Sequence, residues 1–430
     1  MSKREHYDSR MTESDPNSEE PFQLSGGPYA YERQELIVVS QHLSLILAEL
    51  KNADVGFDEP AIRHSVILDL SLIPGINVAE AANKLIDKVL RLPRRSDPPA
   101  RQIDQVLWAL RELIAYRYAG WTPSIGKNRY VGRIHGAGEV SHGGGGHPRP
   151  IVGKFAVPSR AGGPGRGVRI GVLDSRLYPQ EWLAGGWAAR YSDTVDRNGE
   201  AFYSDGHATF VAGLILGRAP GATVDVQHVL DKEGKADSWK VAEAIVRFGQ
   251  SGLDILNLSF VCYTEDGQPP LVLSTALDRL PPDLVVVAAA GNHGAIKDQD
   301  KKPGYPAALD DVIAVGAVVD ATVDEPVLAE FSPNAPWVDV LAPGVDLKST
   351  FLPTACEREY AEVLEFPNGW ATWSGTSFAA ALVSGAIAAG TDPGRVTARS
   401  AALDIFAELE RSPAPTIGET QAKVLNVATF

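Results

Sequence analysis

The sequence has little cysteine, no long apolar run and no surplus of basic residues. Only Cys262 and Cys356 occur in its 430 residues, which excludes a framework of disulfides. The two thiols could pair, but free thiols in a reducing compartment are the simpler interpretation. No stretch of about 20 apolar residues exists, so we predict no membrane span. The net charge of −14 argues against a nucleic-acid partner.

Targeting and metal-binding signals are missing as well. Residues 1–28 are polar and charged, and no apolar core follows the basic residues near their start, so a secretory signal is not indicated. We therefore expect a disordered tail there and a cytoplasmic protein. No loop concentrates Asp and Glu at the spacing of calcium ligands. We predict no cofactor, and a structural calcium ion is possible but cannot be assigned to residues.

A small domain follows the tail. Residues 64–73 alternate apolar and polar side chains as a strand does, and apolar residues recur at helical spacing in 78–89 and 103–114. Residues 36–50 also show helical spacing, although their first four could begin as a strand. We predict a compact α+β domain over residues 29–121.

A flexible Gly/Pro-rich linker is predicted over residues 122–166. Four consecutive glycines at 143–146, with further Gly and Pro residues on both sides, indicate a connector without a core. Neither cysteine nor clustered carboxylates accompany its histidines at ligand spacing, so a solvated linker is favoured over a metal site. These histidines are His135, His142 and His147.

The remaining residues, 167–430, alternate strand and helix patterns. Short runs rich in Val and Ile, which rarely alternate with polar residues, predict strands buried on both faces of a parallel sheet. The fold class is therefore α/β, with a doubly wound, mostly parallel sheet and a smaller N-terminal α+β domain. Its site is expected at the carboxyl ends of the strands. The runs are Val168–Leu173, Val224–Val229, Leu253–Leu258, Leu284–Ala289 and Val312–Val318.

Four polar residues adjoin these elements. Asp174 ends the first apolar run and Asn292 follows the fourth, while His207 and Ser377 stand where polar turns become apolar helices. Taken singly, each has an ordinary explanation as a turn residue, a loop residue or a helix cap. Ser377 would lie in the first turn of its helix, where backbone N–H groups and the helix dipole favour the negative charge that an acyl-transfer nucleophile creates.

Four motifs, taken in the order in which they occur along the chain, resemble those of the subtilisin-like serine proteases, or subtilases. The resemblance spans about residues 167–430 and does not cover residues 1–166 with comparable specificity. The motifs are Asp174-Ser175 after an apolar strand, His207-x-Thr209-x-Val211-Ala212-Gly213, Ala289-Ala290-Gly291-Asn292-x-Gly294 and Gly375-Thr376-Ser377-x-Ala379.

The resemblance implies an Asp-His-Ser catalytic triad. Ser377 would attack the peptide carbonyl, His207 would take the serine proton, and Asp174 would fix the tautomer of the imidazole. The side-chain amide of Asn292 and the backbone N–H of Ser377 would stabilise the oxyanion.

A substrate is expected to bind as an extended strand whose alternate side chains enter pockets. By resemblance, one segment forms an edge for this strand, and a second segment with one further glycine borders the pocket for the residue before the scissile bond. These substrate-binding candidates are Ser259, Phe260 and Val261 for the edge, and Ala289, Ala290, Gly291 and Gly304 for the pocket.

Several positions depart from the usual pattern of the family. Arg176 stands where Gly is usual, a change that could alter the turn or place a charge beside the predicted carboxylate. Ala208 replaces Gly after the histidine, and Phe378 replaces Met after the serine. Val261 stands where Gly is frequent, which is expected to narrow the cleft and restrict bulky substrates. No reacting group is lost.

The leading hypothesis is a serine endopeptidase that forms an acyl-enzyme and acts on a restricted intracellular protein or precursor peptide. The domain at 29–121 would be a prodomain or regulatory domain and an intramolecular inhibitor, as in many subtilases, with processing expected between about residues 120 and 167. A second hypothesis is a catalytically weakened binding or regulatory protein on the same fold, motivated by Arg176 and Ala208. An α/β-hydrolase is excluded because no Gly-x-Ser-x-Gly surrounds a candidate serine.

Overall fold

The computed structural model describes residues 31–93, 96–133, 146–153, 155–189, 194–195, 201–232, 234–264, 266–296, 300–323, 325–357, 363–412 and 416–427. The predicted tail at 1–28 and two linker histidines, His135 and His142, lie outside these residues. Within the described residues, every helix is too short or too polar to cross a membrane.

The N-terminal unit is a small antiparallel sheet covered by helices on one face. Its core lies between the sheet and these helices and includes Leu36, Val38, Leu85 and Leu110. The elements are β1 (Tyr31–Val39), α1 (Leu43–Asn52), β2 (Arg63–Ser65), β3 (Leu70–Ile73), α2 (Val78–Val89), α3 (Gln102–Arg117) and β4 (Ile125–Arg133).

The large unit contains the rest of the regular structure. Its elements are β5 (Arg149–Pro150), β6 (Arg169–Asp174), β7 (Trp187–Ala189), β8 (Ala201–Phe202), α4 (His207–Arg218), β9 (Thr223–His228), β10 (Lys235–Asp237), α5 (Ser238–Gly249), β11 (Ile255–Leu258), β12 (Phe260–Tyr263), α6 (Leu271–Leu277), β13 (Val285–Ala289), β14 (Gly304–Tyr305), β15 (Val312–Val318), β16 (Val340–Pro343), β17 (Leu347–Thr350), β18 (Ala355–Glu357), β19 (Val363–Glu365), β20 (Trp370–Trp373), α7 (Thr376–Gly390), α8 (Ala398–Arg411) and β21 (Lys423–Val424).

A parallel sheet forms the centre of the large unit. Its strand order is β21-β16-β15-β13-β11-β6-β9-β7, and each neighbouring pair runs parallel. Successive residues of β13 lie on opposite faces of the sheet and belong to different apolar clusters. Val285 and Val287 face α4 and α7, whereas Val286 and Ala288 face α5 and α6. Burial on both faces explains why these runs are apolar without alternation. The doubly wound α/β prediction is confirmed.

Two local predictions needed the structure to decide them. Residues 36–39 belong to strand β1, and the helix starts only at Leu43. The single strand expected over 64–73 is a hairpin, because the chain turns between β2 and β3, where Val66 is 94% exposed and Asp69 has a positive φ of 54°. Period-2 alternation continues through such a tight turn and therefore does not reveal it.

Strand β4 joins the two units, although it lies in the segment predicted as a flexible linker. Its first half pairs with β1. Its second half pairs antiparallel with β10 through Val131 and Ala236, and with β12 through Gly132 and Val261. The outer face of the N-terminal sheet shares one apolar cluster with α5 and α6. The glycines that suggested a linker lie after this strand.

Candidate active site

The four polar candidates lie at the carboxyl edge of the parallel sheet. Asp174 is the last residue of β6, and His207 is the first residue of α4. Asn292 follows β13, and Ser377 is the second residue of α7. His207, Asn292 and Ser377 line one small cavity. Residues separated by up to 203 positions in sequence therefore meet because parallel strands end at one edge.

Asp174 holds the imidazole of His207 in one orientation. The Nδ1 atom of His207 lies 2.8 Å from each carboxylate oxygen of Asp174, and both side chains are buried. Asp174 Oδ1 also accepts a hydrogen bond of 2.6 Å from the backbone N–H of Ser175. A carboxylate in this place requires a proton on Nδ1, so Nε2 of the neutral ring carries the free lone pair.

The Ser377 hydroxyl lines the cavity and contacts Ser259, the residue before strand β12. Its Oγ donates to the Ser259 carbonyl oxygen over 3.4 Å, and Ser259 Oγ donates to the Ser377 carbonyl oxygen over 3.2 Å. The first of these hydrogen bonds is long. The hydroxyl also shares one cavity with the imidazole of His207.

Asn292 is oriented by the residue before the serine. Its Oδ1 accepts hydrogen bonds from the backbone N–H and the Oγ1 of Thr376, each 3.1 Å long. Because these donors occupy Oδ1, the amide nitrogen is directed toward Gly375, where it would lie 3.4 Å from an added Cβ. The amide donor thus stands at the N-terminus of α7, where negative charge is favoured.

Aromatic rings enclose the imidazole. Trp373 meets the His207 ring edge-on with centroids 5.4 Å apart, and Phe378 lies at 5.4 Å in a tilted arrangement. Phe210 contacts both of these rings. This apolar surround excludes water and strengthens electrostatic interactions within the cavity.

The predicted substrate-binding residues come together beside the serine. Ser259 contacts Ser377 directly, and Phe260 and Val261 begin β12. Ala289 ends β13, and Ala290 leads from it into Gly291, whose N–H donates to Thr376 Oγ1 over 3.1 Å. Gly304 begins β14, which pairs with β12. The structure thus groups all seven residues, while their roles in binding remain a prediction.

Comparison with known proteins identifies the family. The sequence model described as the subtilase family matches residues 165–392, which is more than half of the chain and contains all four candidates. The chain belongs to the subtilase family.

Curated relatives agree with this membership. A thermophilic serine proteinase of Bacillus sp. (strain AK1) is 33% identical over 240 residues, covering 53% of this chain and 53% of the relative. Subtilisin DY of Bacillus licheniformis is 32% identical over 244 residues, covering 52% of this chain and 76% of that protein. The chain thus spans about half the length of the first relative.

A solved structure shares the fold over nearly the whole chain. Fervidolysin from Fervidobacterium pennivorans, a keratinolytic enzyme related to subtilisin, aligns with a TM-score of 0.56 and 17% identity, covering 94% of this chain and 61% of that one. The likeness concerns the fold alone.

The departures from the subtilase pattern fit the structure without disturbing the site. Arg176 is exposed, and its backbone is not among those with positive φ, so the turn does not require glycine there. Ala208 is fully buried, and its N–H donates to Ser175 Oγ over 3.1 Å. Phe378 is part of the aromatic surround described above.

Both cysteines are free and buried, as the simpler interpretation of their number predicted. Burial raises the pKa of the Cys356 thiol to about 12, with a further contribution from Asp205. A thiol with this pKa is not a nucleophile near neutral pH. Among the described residues, no group of three or more His, Cys, Asp or Glu could hold a metal ion, and we assign no metal site.

His293 is the residue that sequence reasoning missed. It follows Asn292, is 2% exposed, and donates from Nε2 to the Lys302 carbonyl oxygen over 2.9 Å. Burial lowers its pKa to about 4, although the Lys302 carbonyl and Asp300 act in the opposite direction. Its position directly after the oxyanion candidate was the available signal, but nothing in the local sequence reveals burial.

The buried His293 should make stability depend on pH. Its pKa is about 4 in the folded chain, against 6.5 for a solvated histidine side chain, so the unfolded chain binds the extra proton between these values. The contribution of this group to the free energy of unfolding is therefore fully present above about pH 6.5. It is lost as the pH falls toward 4, a decrease of about 3 kcal/mol. Urea unfolding of wild type and His293→Gln between about pH 7 and about pH 4.5 measures the effect.

A matched control is His64→Gln, because His64 is exposed and its Nδ1 shares a hydrogen bond with Ser71. We expect this variant to keep the wild-type pH slope, whereas His293→Gln flattens it. Equal slopes in all three proteins would contradict the assignment.

Proposed function

We propose that the chain hydrolyses peptide bonds through Asp174, His207 and Ser377 by way of an acyl-enzyme. The observation that carries the proposal is the imidazole of His207, bound by Asp174 through Nδ1 and sharing one cavity with the Ser377 hydroxyl and the Asn292 amide. In the first step Nε2 takes the Ser377 proton as Oγ attacks the carbonyl carbon. The imidazolium then returns this proton to the leaving amine.

Water completes the cycle. The same Nε2 removes a proton from a water molecule as the water oxygen attacks the acyl carbonyl, and the imidazolium then gives this proton to Ser377 Oγ as the C–Oγ bond breaks. In both steps the negative oxygen would receive hydrogen bonds from the Asn292 side-chain amide and the Ser377 N–H. The Oδ1 contacts with Thr376 hold this amide in place before the reaction, so little reorganisation is required.

The second candidate function is a binding or regulatory protein whose catalysis has weakened. Arg176 and Ala208 motivated it, and both fit the site as described above. The two functions are distinguished by a fluorophosphonate probe, which phosphonylates only an activated serine. Labelling that requires both Ser377 and His207 supports the peptidase, whereas a folded but unlabelled chain supports the binding protein.

We also propose that the N-terminal domain inhibits this site, as expected of a zymogen. Residues Val131 and Gly132 of β4 stand opposite the cleft strands β10 and β12, where an extended substrate would pair. Beyond the residues 134–145, Trp373 Nε1 donates to the Gly146 carbonyl oxygen over 2.6 Å. The chain thus contacts the site from both sides, which supports occupancy of the cleft by its own N-terminal part.

Releasing β4 should increase labelling of Ser377. Val131 is fully buried in the cluster that contains Trp239 and Phe260, so Val131→Glu would bury an unpaired carboxylate. We expect β4 to leave the cleft and the fluorophosphonate labelling rate to rise at least about tenfold, a factor that corresponds to about 1.4 kcal/mol of lost docking energy.

Tyr130→Glu is the matched control, because Tyr130 is 37% exposed on the same strand and should keep the wild-type rate. Asn128→Ala is a milder second variant. It removes hydrogen bonds to Ser238 Oγ and the Trp239 N–H at the start of α5. Unchanged labelling in both Val131→Glu and Asn128→Ala, with circular dichroism showing folded proteins, would exclude inhibition by β4.

For the substrate and compartment, we propose a restricted protein or precursor peptide in the cytoplasm. The side chain of Val261 at the cleft edge and the two free thiols support this proposal. Broad cleavage of casein at many different sequences would contradict the restriction.

A further inference from the structure

The direction of the strands around Ser377 fixes where each half of an extended substrate would lie. Strand β4 pairs antiparallel with β12, and its last residue, Arg133, lies opposite Phe260. The chain of β4 therefore runs toward Ser259, the residue before β12 that contacts Ser377. A substrate bound in this direction places the residues before the scissile bond along β12. The residues after the bond, the primed side, continue beyond Ser377.

Strand β20 lies on the primed side. It ends at Trp373, four positions before Ser377, so it runs toward the nucleophile. It pairs with β17 at one edge and with β5 at the other, antiparallel in both cases. A chain antiparallel to β20 runs away from Ser377, which is the direction required of the residues after the scissile bond.

Residues 146–151, here called the strap, fill this position. Arg149 and Pro150 form β5 and lie opposite Thr372 and Ala371 of β20. A strand edge that is not covered can pair with any extended chain. The strap therefore uses the edge of β20 with which the residues after a scissile bond would pair.

The strap contacts the catalytic residues through Trp373. The Nε1 atom of Trp373 donates to the Gly146 carbonyl oxygen over 2.6 Å, and the same ring meets the imidazole of His207 edge-on. Trp373 and His207 line one cavity with Ser377. A single side chain thus separates the first residue of the strap from the reacting groups.

The large unit anchors the strap. Pro148 is buried, and the ring of His147 meets that of Tyr203 edge-on with centroids 4.7 Å apart. Arg149 Nη2 forms an ion pair with Asp346 Oδ1. Because Tyr203, Asp346 and β20 all belong to the large unit, these contacts persist when β4 leaves the cleft.

We propose that the strap is a second inhibitory element, which blocks the primed side and stays in place after β4 is released. The site then accepts a small reagent, or a substrate without residues after the scissile bond, while peptides and proteins must first displace the strap. Activation therefore takes two separate steps. The inference rests on the proposed peptidase function and concerns the regulation of the same site.

The test uses the full chain and compares two substrates that share the residues before the scissile bond. One substrate ends in a p-nitroanilide and has no residue after the bond, whereas the other is an internally quenched peptide with several residues after it. The ratio of kcat/KM for the quenched peptide to that for the anilide measures access to the primed side. Fluorophosphonate labelling of Ser377 measures the active fraction of each variant.

Pro148→Glu should release the strap, because the bound strap would bury a carboxylate without a partner. We expect the ratio to rise at least about tenfold, which corresponds to about 1.4 kcal/mol of lost docking energy. The rise is measured in the wild-type chain and together with Val131→Glu, in which β4 is expected to leave the cleft. Pro150→Glu is the matched control, because Pro150 is exposed in the same strap and its replacement should keep the wild-type ratio.

Arg149→Glu is a milder second variant. It places a carboxylate beside Asp346 in a pair whose side chains are 67% and 60% exposed, so the fold is retained while the strap is weakened. The ratio should rise about twofold to fivefold, the scale of an exposed ion pair.

The possible failures are distinguishable. A wild-type ratio in labelled Pro148→Glu and Arg149→Glu would overturn the strap and leave the peptidase function and the inhibition by β4 intact. If Pro148→Glu is not labelled, a wild-type ratio in Arg149→Glu overturns the strap by itself. An equal rise in Pro150→Glu and Pro148→Glu would also overturn it. No Ser377-dependent cleavage of either substrate would overturn the proposed function and this inference with it.

Discussion

Ser377→Ala is expected to lower kcat about 10⁶-fold and to abolish fluorophosphonate labelling; the magnitude is the one measured for the corresponding change in subtilisin. The chemical reason is that the nucleophilic oxygen disappears while the cavity formed by His207 and Asn292 remains. Active-site labelling and peptide hydrolysis by the purified chain measure the two effects. Labelling that persists in Ser377→Ala would mean that another residue is the nucleophile.

His207→Ala should lower kcat by a factor of the same order as Ser377→Ala does. The variant that carries both substitutions should have no lower kcat than either single variant, because the nucleophile and its base act as one unit. Ser374→Ala is the control. Ser374 lines the same cavity and accepts a hydrogen bond of 2.9 Å from the Asp346 N–H, but it lies three positions before the nucleophile. We expect this variant to remain labelled, with a stability loss of about 1 kcal/mol for the hydrogen bond.

Asn292→Asp is expected to lower kcat by about 10²–10³-fold with little change in KM, again the magnitude known for the oxyanion amide of subtilisin. Aspartate keeps the oxygen that accepts from the Thr376 N–H and Oγ1. It replaces the amide donor with a second acceptor, so the start of α7 is preserved while the developing oxyanion loses a hydrogen bond. Steady-state kinetics on one peptide substrate provides the measurement.

A similar change nearby serves as the comparison. Asn257 is fully buried and donates from Nδ2 to Ser384 Oγ over 3.1 Å, on the same helix as the nucleophile. Asn257→Asp should lower the melting temperature but reduce kcat less than tenfold. If Asn257→Asp and Asn292→Asp reduced kcat equally, the effect of Asn292 would be structural.

The sequence by itself determined the fold class and the four reacting candidates. Apolar runs such as Val312–Val318 give the parallel sheet because burial on both faces needs only local composition. Each reacting candidate could be identified from local sequence, because it lies directly beside one predicted strand or helix, as Asp174, Asn292 and Ser377 do. Proximity followed from the rule that parallel strands end at one edge of the sheet.

The tertiary structure alone decided which segments meet across the cleft. Strand β4 pairs with β10 and β12, more than 100 residues later in the chain, and its local composition does not encode that register. The burial of His293 and the reach of Val261 to Gly304 likewise depend on how β12, β13 and β14 approach one another. Contacts between distant segments are set by packing of the whole fold, so no window of sequence contains them.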